Sequence, residues 1–173
     1  MDFEQYGRVV LEANGLAYRG VSPWLFADGM GFLDTAVWWP STWELRPVPH
    51  EGLDLVQFTG TSGIKEVGAG FLVVSPVNGV VVEICNDYLA KTVWVTNANK
   101  AEHLIALSHV SPMVSTGQRL ICGDPVGRIT YPVTTVPHHL HLSVLAGKWQ
   151  AIKRLDWDGV HGQSGVRFID PCF

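Results

Sequence analysis

The sequence predicts a mainly β fold, an antiparallel β-sandwich or barrel-sandwich with a short N-terminal helix and long loops. Glycine and proline are frequent, with 18 and 10 of 173 residues, which indicates many turns between short strands. Apolar residues make up 47% of the chain and charged residues 16%, a composition that can bury a core. Strand-like segments follow one another without helical segments between them, which argues against a doubly wound α/β fold.

The first part of the chain combines a helix with an aromatic extension. Residues 3–13 are predicted to form a helix that stops at Asn14-Gly15, because apolar side chains recur there at helical spacing. Residues 20–49 are interrupted by glycine and proline, which predicts irregular structure with one or two strands. They are also rich in aromatic side chains, which either pack this loop or form a wall of a binding groove. These aromatic residues are Trp24, Phe26, Phe32, Trp38, Trp39 and Trp43.

Strand-like segments rich in valine, isoleucine and leucine follow Pro49. Turn signals at residues 76–79 and 122–125 separate some of them. Short strands at this spacing are typical of a sandwich or barrel. The predicted strands are residues 52–57, 70–74, 79–84, 92–96, 103–109, 119–121, 127–129 and 139–145.

Charge and hydropathy exclude several classes of partner. The net charge of −4 argues against nucleic acid, whose binding depends on an excess of lysine and arginine. It also argues against docking on anionic lipid. No apolar run reaches the roughly 18–20 residues of a membrane span, and residues 1–15 lack the features of a signal peptide. The three cysteines are too widely spaced for a metal motif or a disulfide framework and are predicted to be small apolar fillers. They are Cys85, Cys122 and Cys172.

The histidines predict a metal site. His139 and His141 are two residues apart, so they share one face of a strand. His50 and Asp54 are separated by three residues, with Gly52 between them, and also share a face in an extended chain. Catalytic zinc sites take three histidine or carboxylate ligands and keep one position open. We therefore predict a zinc site made of His50, Asp54 and one of the two later histidines, with the other beside the metal.

Other residues and motifs are predicted to lie outside this site. An H-E-x-x-H helix, a Gly-x-Ser-x-Gly elbow, a P-loop and a dinucleotide fingerprint are all absent from the sequence. His103 and His161 have no partner at a suitable spacing, and His138 is expected on the opposite face of the strand. Asp87 lies in a turn-like context and is predicted either to cap that turn or to be solvated.

The ordered set of motifs resembles the M23 peptidases, the lysostaphin-like or LytM-like zinc endopeptidases. The resemblance covers residues 47–173 and implies a zinc peptidase domain of the LytM type there, with residues 1–46 as a helix and Trp-rich extension packed on its core. The matching stretches are PHEGLDL (49–55), SPVNGVVVEI (75–84), LSHVSPMVSTGQRLICGDPVGRI (107–129), HLHLSV (139–144) and IDPCF (169–173).

The resemblance also implies roles for five residues. His50, Asp54 and His141 would bind one zinc ion, and His109 and His139 would be the two catalytic histidines that are not ligands. The implied activity is hydrolysis of peptide bonds in bacterial peptidoglycan, in cross-links or stem peptides, by a metal-activated water. Two departures concern the support of the site and its substrate contacts. Leu107 stands where an aromatic residue is common, and Leu142-Ser143 stands where Phe-Glu often follows the histidine pair.

Two other functions remain open at this point. One is a non-catalytic LytM-like module that binds and regulates another cell-wall hydrolase. The other is a biotinyl-type or lipoyl-type carrier, but Lys65 and Lys91 lack the flanking pattern of its modified lysine. The family implies an extracytoplasmic location, whereas no export signal is visible. If residues 1–46 cover the groove and inhibit the site, their removal should raise activity. The sequence predicts neither the scissile bond nor the oligomeric state.

Overall fold

The computed structural model describes residues 2–20, 22–39, 45–132 and 134–171. Trp43 and Cys172, named above, lie outside the described residues. The helices are α1 (Phe3–Ala13), α2 (Trp157–Val160) and a 3-10 turn at Trp149–Ala151. The strands are β1 (Trp24–Leu25), β2 (Gly52–Leu55), β3 (Gln57–Gly60), β4 (Gly63–Glu66), β5 (Leu72–Val74), β6 (Gly79–Asn86), β7 (Lys91–Thr96), β8 (His103–Pro112), β9 (Arg119–Leu120), β10 (Pro125–Arg128), β11 (Leu140–Gly147) and β12 (Val166–Ile169).

Most strands belong to one large antiparallel sheet. Its main path runs β12-β11-β8-β7-β6-β9, and a small second sheet has the order β1-β3-β4. Strand β11 pairs with β8 along one edge, while β2 and β12 share its other edge. Strand β10 links β5 to the end of β8. Strand β11 therefore lies at the centre of the arrangement that positions the histidines.

The large sheet is apolar on both faces. Alternate residues of β11 point to opposite sides, and Leu142 and Val144 join the main core, whereas Leu145 joins a second cluster. This second cluster includes Trp94 from β7 and Val160 from α2, so the C-terminal segment covers the outer face of the sheet. Each fully buried leucine or valine contributes roughly 1.5–3 kcal/mol to stability.

Helix α1 packs on the main core. Asp2 and Gln5 form a capping box at its start: the Asp2 carboxylate accepts the Gln5 backbone N–H at 2.7 Å. The Tyr6 hydroxyl donates to Val74 O at 3.2 Å, and the Asn14 side chain bonds both backbone groups of Leu72. The helix predicted over residues 3–13 is confirmed, and these bonds fasten its two ends to β5.

The mainly β fold is also confirmed, with adjustments to its elements. The predicted strand 52–57 is two strands that join different sheets, β2 in the large one and β3 in the small one. Strands β4 and β12 and helix α2 were not predicted from the sequence. Among the described residues, no helix is both long and apolar enough to cross a bilayer. The division of the chain at residues 46 and 47 stays a prediction.

Candidate metal centre

Three of the side chains singled out in the sequence converge on one point. His50 Nε2 lies 3.1 Å from Asp54 Oδ1 and 3.0 Å from His141 Nδ1, and His141 Nδ1 lies 2.8 Å from Asp54 Oδ1. All three residues are buried, and together they could hold a metal ion. His139 is also near, with its Nε2 atom 3.7 Å from Asp54 Oδ1. Of the two later histidines, His141 is thus the one within bonding distance of the pair.

The register of β11 explains this convergence. His141 is paired with Asp54 of β2 on one side and with Ser108 of β8 on the other. Residues directly opposite in antiparallel strands project from the same face, so Asp54 and His141 lie side by side. His50 precedes β2 and is fixed by its backbone, because its N–H donates to Asp34 O at 2.9 Å and its carbonyl accepts from Leu33 N–H at 2.8 Å.

Hydrogen bonds on the far side of each imidazole set its orientation. His50 Nδ1 donates to Gly31 O at 2.9 Å, and because a carbonyl only accepts, the neutral ring carries its proton there. Its Nε2 lone pair therefore faces Asp54. Ser143 Oγ lies 2.7 Å from His141 Nε2 and accepts its proton in the tautomer that leaves Nδ1 free. Three lone pairs then face one another, and a cation held between them would relieve their repulsion.

Gly52 lets β2 approach this cluster closely. A Cβ atom at this position would lie 2.4 Å from Leu142 O, 2.5 Å from Ser143 Oγ and 3.0 Å from His141 Cε1. Any side chain would therefore displace either β11 or the imidazole. Position 52 therefore requires glycine for steric reasons, which the spacing of His50 and Asp54 in the sequence does not reveal.

The second oxygen of Asp54 is held by the N-terminal part of the chain. Oδ2 accepts from Trp38 Nε1 at 2.6 Å and from Arg46 Nη2 at 3.1 Å. Burial alone would raise the pKa of the Asp54 carboxyl, but at the acidic pH where this group titrates, the positive charge of His139 and hydrogen bonds donated by His141 and His50 outweigh burial and hold the pKa well below its usual range. Asp54 is therefore a carboxylate at neutral pH.

His139 is held in a single orientation behind the cluster. Its Nδ1 donates to Pro137 O at 2.8 Å, and its backbone N–H donates to the Tyr131 hydroxyl at 3.0 Å. Its ring packs at right angles to that of Trp38, with 5.1 Å between the ring centroids. Burial lowers the pKa of His139 to about 4, although the Asp54 carboxylate opposes this shift. His139 is therefore neutral at neutral pH, with an unprotonated Nε2 directed at Asp54.

A β-bulge brings His109 to the same face. Between Leu107 and Val110, β8 advances three residues while β7 advances two, and His109 has φ 65°, in the left-handed region. In a regular strand His109 would face the main core, opposite to Ser108. The extra residue turns its ring towards the histidines instead. The ring centroids of His109 lie 4.8 Å from those of His139 and 5.8 Å from those of His141.

The cluster opens into a cleft of about 190 Å³. His161, which the sequence analysis placed elsewhere, is one of its walls: the C-terminal segment folds back and brings His161 Nε2 to 3.4 Å from Glu51 Oε1. His103 and His138 do not join the cleft. The lining residues are Arg46, His50, Glu51, Asp54, Tyr88, His109, His141, Trp157 and His161.

Sequence reasoning missed several residues that support the histidines. Asp87 fulfils the first of its two predicted roles and caps its turn by accepting from Leu89 and Ala90 N–H, but it also contacts His109. Ser143 follows His141 by two residues on the same strand face, so periodicity could have found it. Trp38, Arg46 and Tyr131 contact the site through space, and no local spacing in the sequence indicates them.

Comparisons with solved structures find this fold in known peptidases. The catalytic domain of the antimicrobial peptidase lysostaphin from Staphylococcus simulans matches with a TM-score of 0.50 at 17% identity, over 84% of this chain and 87% of that one. A variant of the catalytic domain of the prophage-encoded M23 protein EnpA from Enterococcus faecalis gives 0.49 at 14%, over 91% and 95%. Lysostaphin in solution gives 0.48 at 15%, over 69% of this chain and 49% of that protein, so the chain spans about half its length.

The comparisons of sequence give a different result. No protein-family model and no curated protein matches this chain. At the identities found among solved structures, the likeness concerns the fold and does not extend to activity. This chain therefore has an M23-like fold, that of the lysostaphin catalytic domain.

Proposed function

We propose that this protein is a zinc-dependent endopeptidase that hydrolyses peptide bonds in bacterial peptidoglycan. The observation that carries the proposal is the convergence of His50, Asp54 and His141 beside two further buried histidines, His109 and His139. The M23-like fold supports it.

The donor set fits zinc. Two imidazole nitrogens and one carboxylate oxygen are usual ligands of catalytic zinc, and bonds of about 2.0–2.2 Å place tetrahedral ligand atoms about 3.3–3.6 Å apart. The three observed separations, 2.8 to 3.1 Å, are slightly shorter. Outward shifts of a few tenths of an ångström accommodate the ion. His50, Asp54 and His141 would hold it.

The two remaining histidines would orient the attacking water and transfer its proton. When bound, zinc supplies Lewis acidity, which lowers the pKa of water and polarises a carbonyl group. His139 is neutral and unprotonated at Nε2, so it can accept a proton from water there and later donate that proton to the leaving amine. His109 lines the cleft and can orient the same water through its ring. Each histidine acts at the nitrogen that its backbone or carboxylate partner leaves free.

The size of the cleft supports a substrate with small side chains. A volume of about 190 Å³ holds only a short stretch of peptide, and a single water takes about 30 Å³ in the liquid. Bonds flanked by glycine or alanine, as the resemblance implies for cell-wall peptides, suit this space.

Metal analysis and wall clearing of three variants test the proposal. Purified wild type should contain one zinc ion per chain and should clear cell-wall suspensions, and a chelator should abolish clearing. His141→Ala should lose the zinc, whereas His139→Ala should keep it and lose clearing. His103→Ala is the matched control, because this buried histidine lies outside the cleft, and it should keep both.

Two results would contradict the proposal. If purified wild type contained no zinc, the proposed zinc site would be wrong. If the wild type binds zinc but does not clear cell walls or cleave their peptides, the alternative is favoured instead. The protein would then be a non-catalytic module that regulates another hydrolase.

A further inference from the structure

We propose that Asp87 is a positioning residue for His109, an inference that rests on the proposed function. Its carboxylate fixes the His109 ring with Nδ1 turned towards Asp87, which leaves Nε2 for the cleft. Asp87 itself does not line the cleft. It therefore acts through His109 and does not touch the substrate.

The Asp87 carboxylate is itself immobile. Its side chain is 1% exposed. Oδ1 accepts backbone N–H groups from Leu89 at 2.9 Å and Ala90 at 2.7 Å, and Oδ2 accepts the Thr92 hydroxyl at 3.1 Å. Hydrogen bonds to a charged acceptor are about twice as strong as neutral ones, so these bonds fix both oxygens in place.

The same carboxylate holds both the backbone and the ring of His109. The His109 backbone N–H donates to Asp87 Oδ2 at 2.9 Å, and the ring Nδ1 lies 3.1 Å from Oδ1. The backbone bond stabilises the left-handed residue that the β8 bulge requires. One acidic side chain thus sets both the direction in which the bulge turns His109 and the rotation of its imidazole.

The ring nitrogen has no alternative partner among the described residues. His109 Nδ1 is buried, and its N–H direction is not aligned with any acceptor there, Asp87 included. An unpaired buried donor is costly. Catalytic hydrogen bonds are often loose without substrate, and a small rotation of the ring turns the 3.1 Å contact into an aligned bond. In the part of the chain that the structure describes, the carboxylate beside this nitrogen is that of Asp87.

Nuclear magnetic resonance of the full chain, labelled with ¹⁵N-histidine, tests the orientation directly. At about pH 8 an ordinary imidazole is neutral, and His109 should carry its proton on Nδ1, with or without zinc. The His109→Gln spectrum identifies the signals by their loss. In Asp87→Asn the amide offers a donor as well as an acceptor, so the fixed preference for a proton on Nδ1 should be lost.

Kinetics of the same variants test the consequence. With a soluble glycine–alanine peptide that wild type cleaves, Asp87→Asn should lower kcat by about 10- to 100-fold, less than the roughly 10²- to 10⁴-fold that a positioned acid or base contributes in full. KM should stay within about twofold of the wild-type value, and the zinc content should be unchanged. Asp124→Asn is the matched control. Asp124 also caps a turn, accepting Ile121 N–H at 2.8 Å, and lies outside the cleft. It should leave both constants and the His109 signals unchanged.

Two outcomes would overturn the inference. The inference is wrong if His109 of the wild type carries its proton on Nε2, and this result stands even if Asp87→Asn does not fold. A folded Asp87→Asn that keeps zinc, the His109 tautomer and kcat also rejects it. Failure of the proposed function would look different: wild type would lack zinc or cleavage, while the tautomer measurement would still decide the role of Asp87.

Discussion

The surroundings of His139 change its titration strongly. The ring is buried, and its pKa falls from an ordinary value of 6.5 to about 4. Between these two values the unfolded chain binds a proton at this position and the folded chain does not. Stability therefore rises with pH across this interval, because the unfolded state binds more protons.

The stability of the zinc-free protein should accordingly depend on pH. As the pH decreases from about 6.5 to about 4, His139 alone should lower the free energy of unfolding by up to about 3 kcal/mol. Urea denaturation at several pH values measures this, with His139→Gln for comparison because glutamine does not titrate. The wild type should lose stability more steeply. Equal slopes for the two proteins would show that the folded-state pKa of His139 is not lowered.

Some residues of the site could be predicted from the sequence and others could not. Two-residue spacing and the resemblance to M23 peptidases placed His50, Asp54, His139 and His141 near one another. Trp38 bonds Asp54 across 16 positions, and Asp87 bonds His109 across 22. Such contacts depend on how loops fold back on the sheet, and neither periodicity nor composition encodes them.

Among the elements, the bulge in β8 matters most for the site. A left-handed backbone at a residue with a side chain costs about 1–2 kcal/mol, whereas glycine adopts it freely. The bulge therefore lowers the stability of the fold, and it directs the His109 ring towards the other histidines. No feature of the run around His109 in the sequence distinguishes it from an ordinary strand.

Two substitutions that both remove the ring should separate this backbone strain from the function of the imidazole. His109→Gly should be more stable than His109→Ala by about 1 kcal/mol, because only glycine relieves the strain at φ 65°. Both variants should keep zinc and lose cleavage. Thermal or chemical unfolding of the pair measures the difference. If the alanine variant is as stable as the glycine variant, the left-handed conformation at residue 109 is not maintained.

Other elements show where local patterns stop being informative. Helix α1 was predictable because it has eleven residues, an apolar face and a capping box. Helix α2 has four residues, too few for a helical period to show. The run at residues 52–57 reads as one strand, yet β2 and β3 find partners in different sheets. Such a division of one run into two strands depends on which distant strands pair with each half, and not on local propensity.

At the scale of the whole molecule, we propose that residues 47–173 form the peptidase domain and that residues 1–46 are an extension packed on it. Contacts at three places support this proposal: Tyr6 and Asn14 bond β5, Gly31 O bonds His50, and Trp38 bonds Asp54. Arg46 joins Trp38 at the same carboxylate oxygen. These bonds orient the proposed metal ligands, which argues for support of the site by the extension over inhibition.

Trp38→Phe tests this role of the extension. Removal of the indole N–H takes one of two donors from Asp54 Oδ2, and loss of such partners typically costs 10- to 100-fold in metal affinity or activity. We expect zinc affinity, measured by competition with a chelator, to fall by about tenfold. Trp149→Phe is the control, because its indole also donates to a single acceptor, Ala101 O, away from the cleft. Unchanged zinc affinity, or faster wall clearing as inhibition by residues 1–46 predicts, would contradict this role.

The two hydrogen bonds that hold Asp54 Oδ2 also have a kinetic consequence. Trp38 and Arg46 hold Oδ2 while Oδ1 faces the two imidazoles, so the carboxylate cannot swing outward until both bonds break. The residence time of an ion bound there would then depend on how often both bonds break, and exchange with the surrounding solution should be slow even where equilibrium affinity is ordinary.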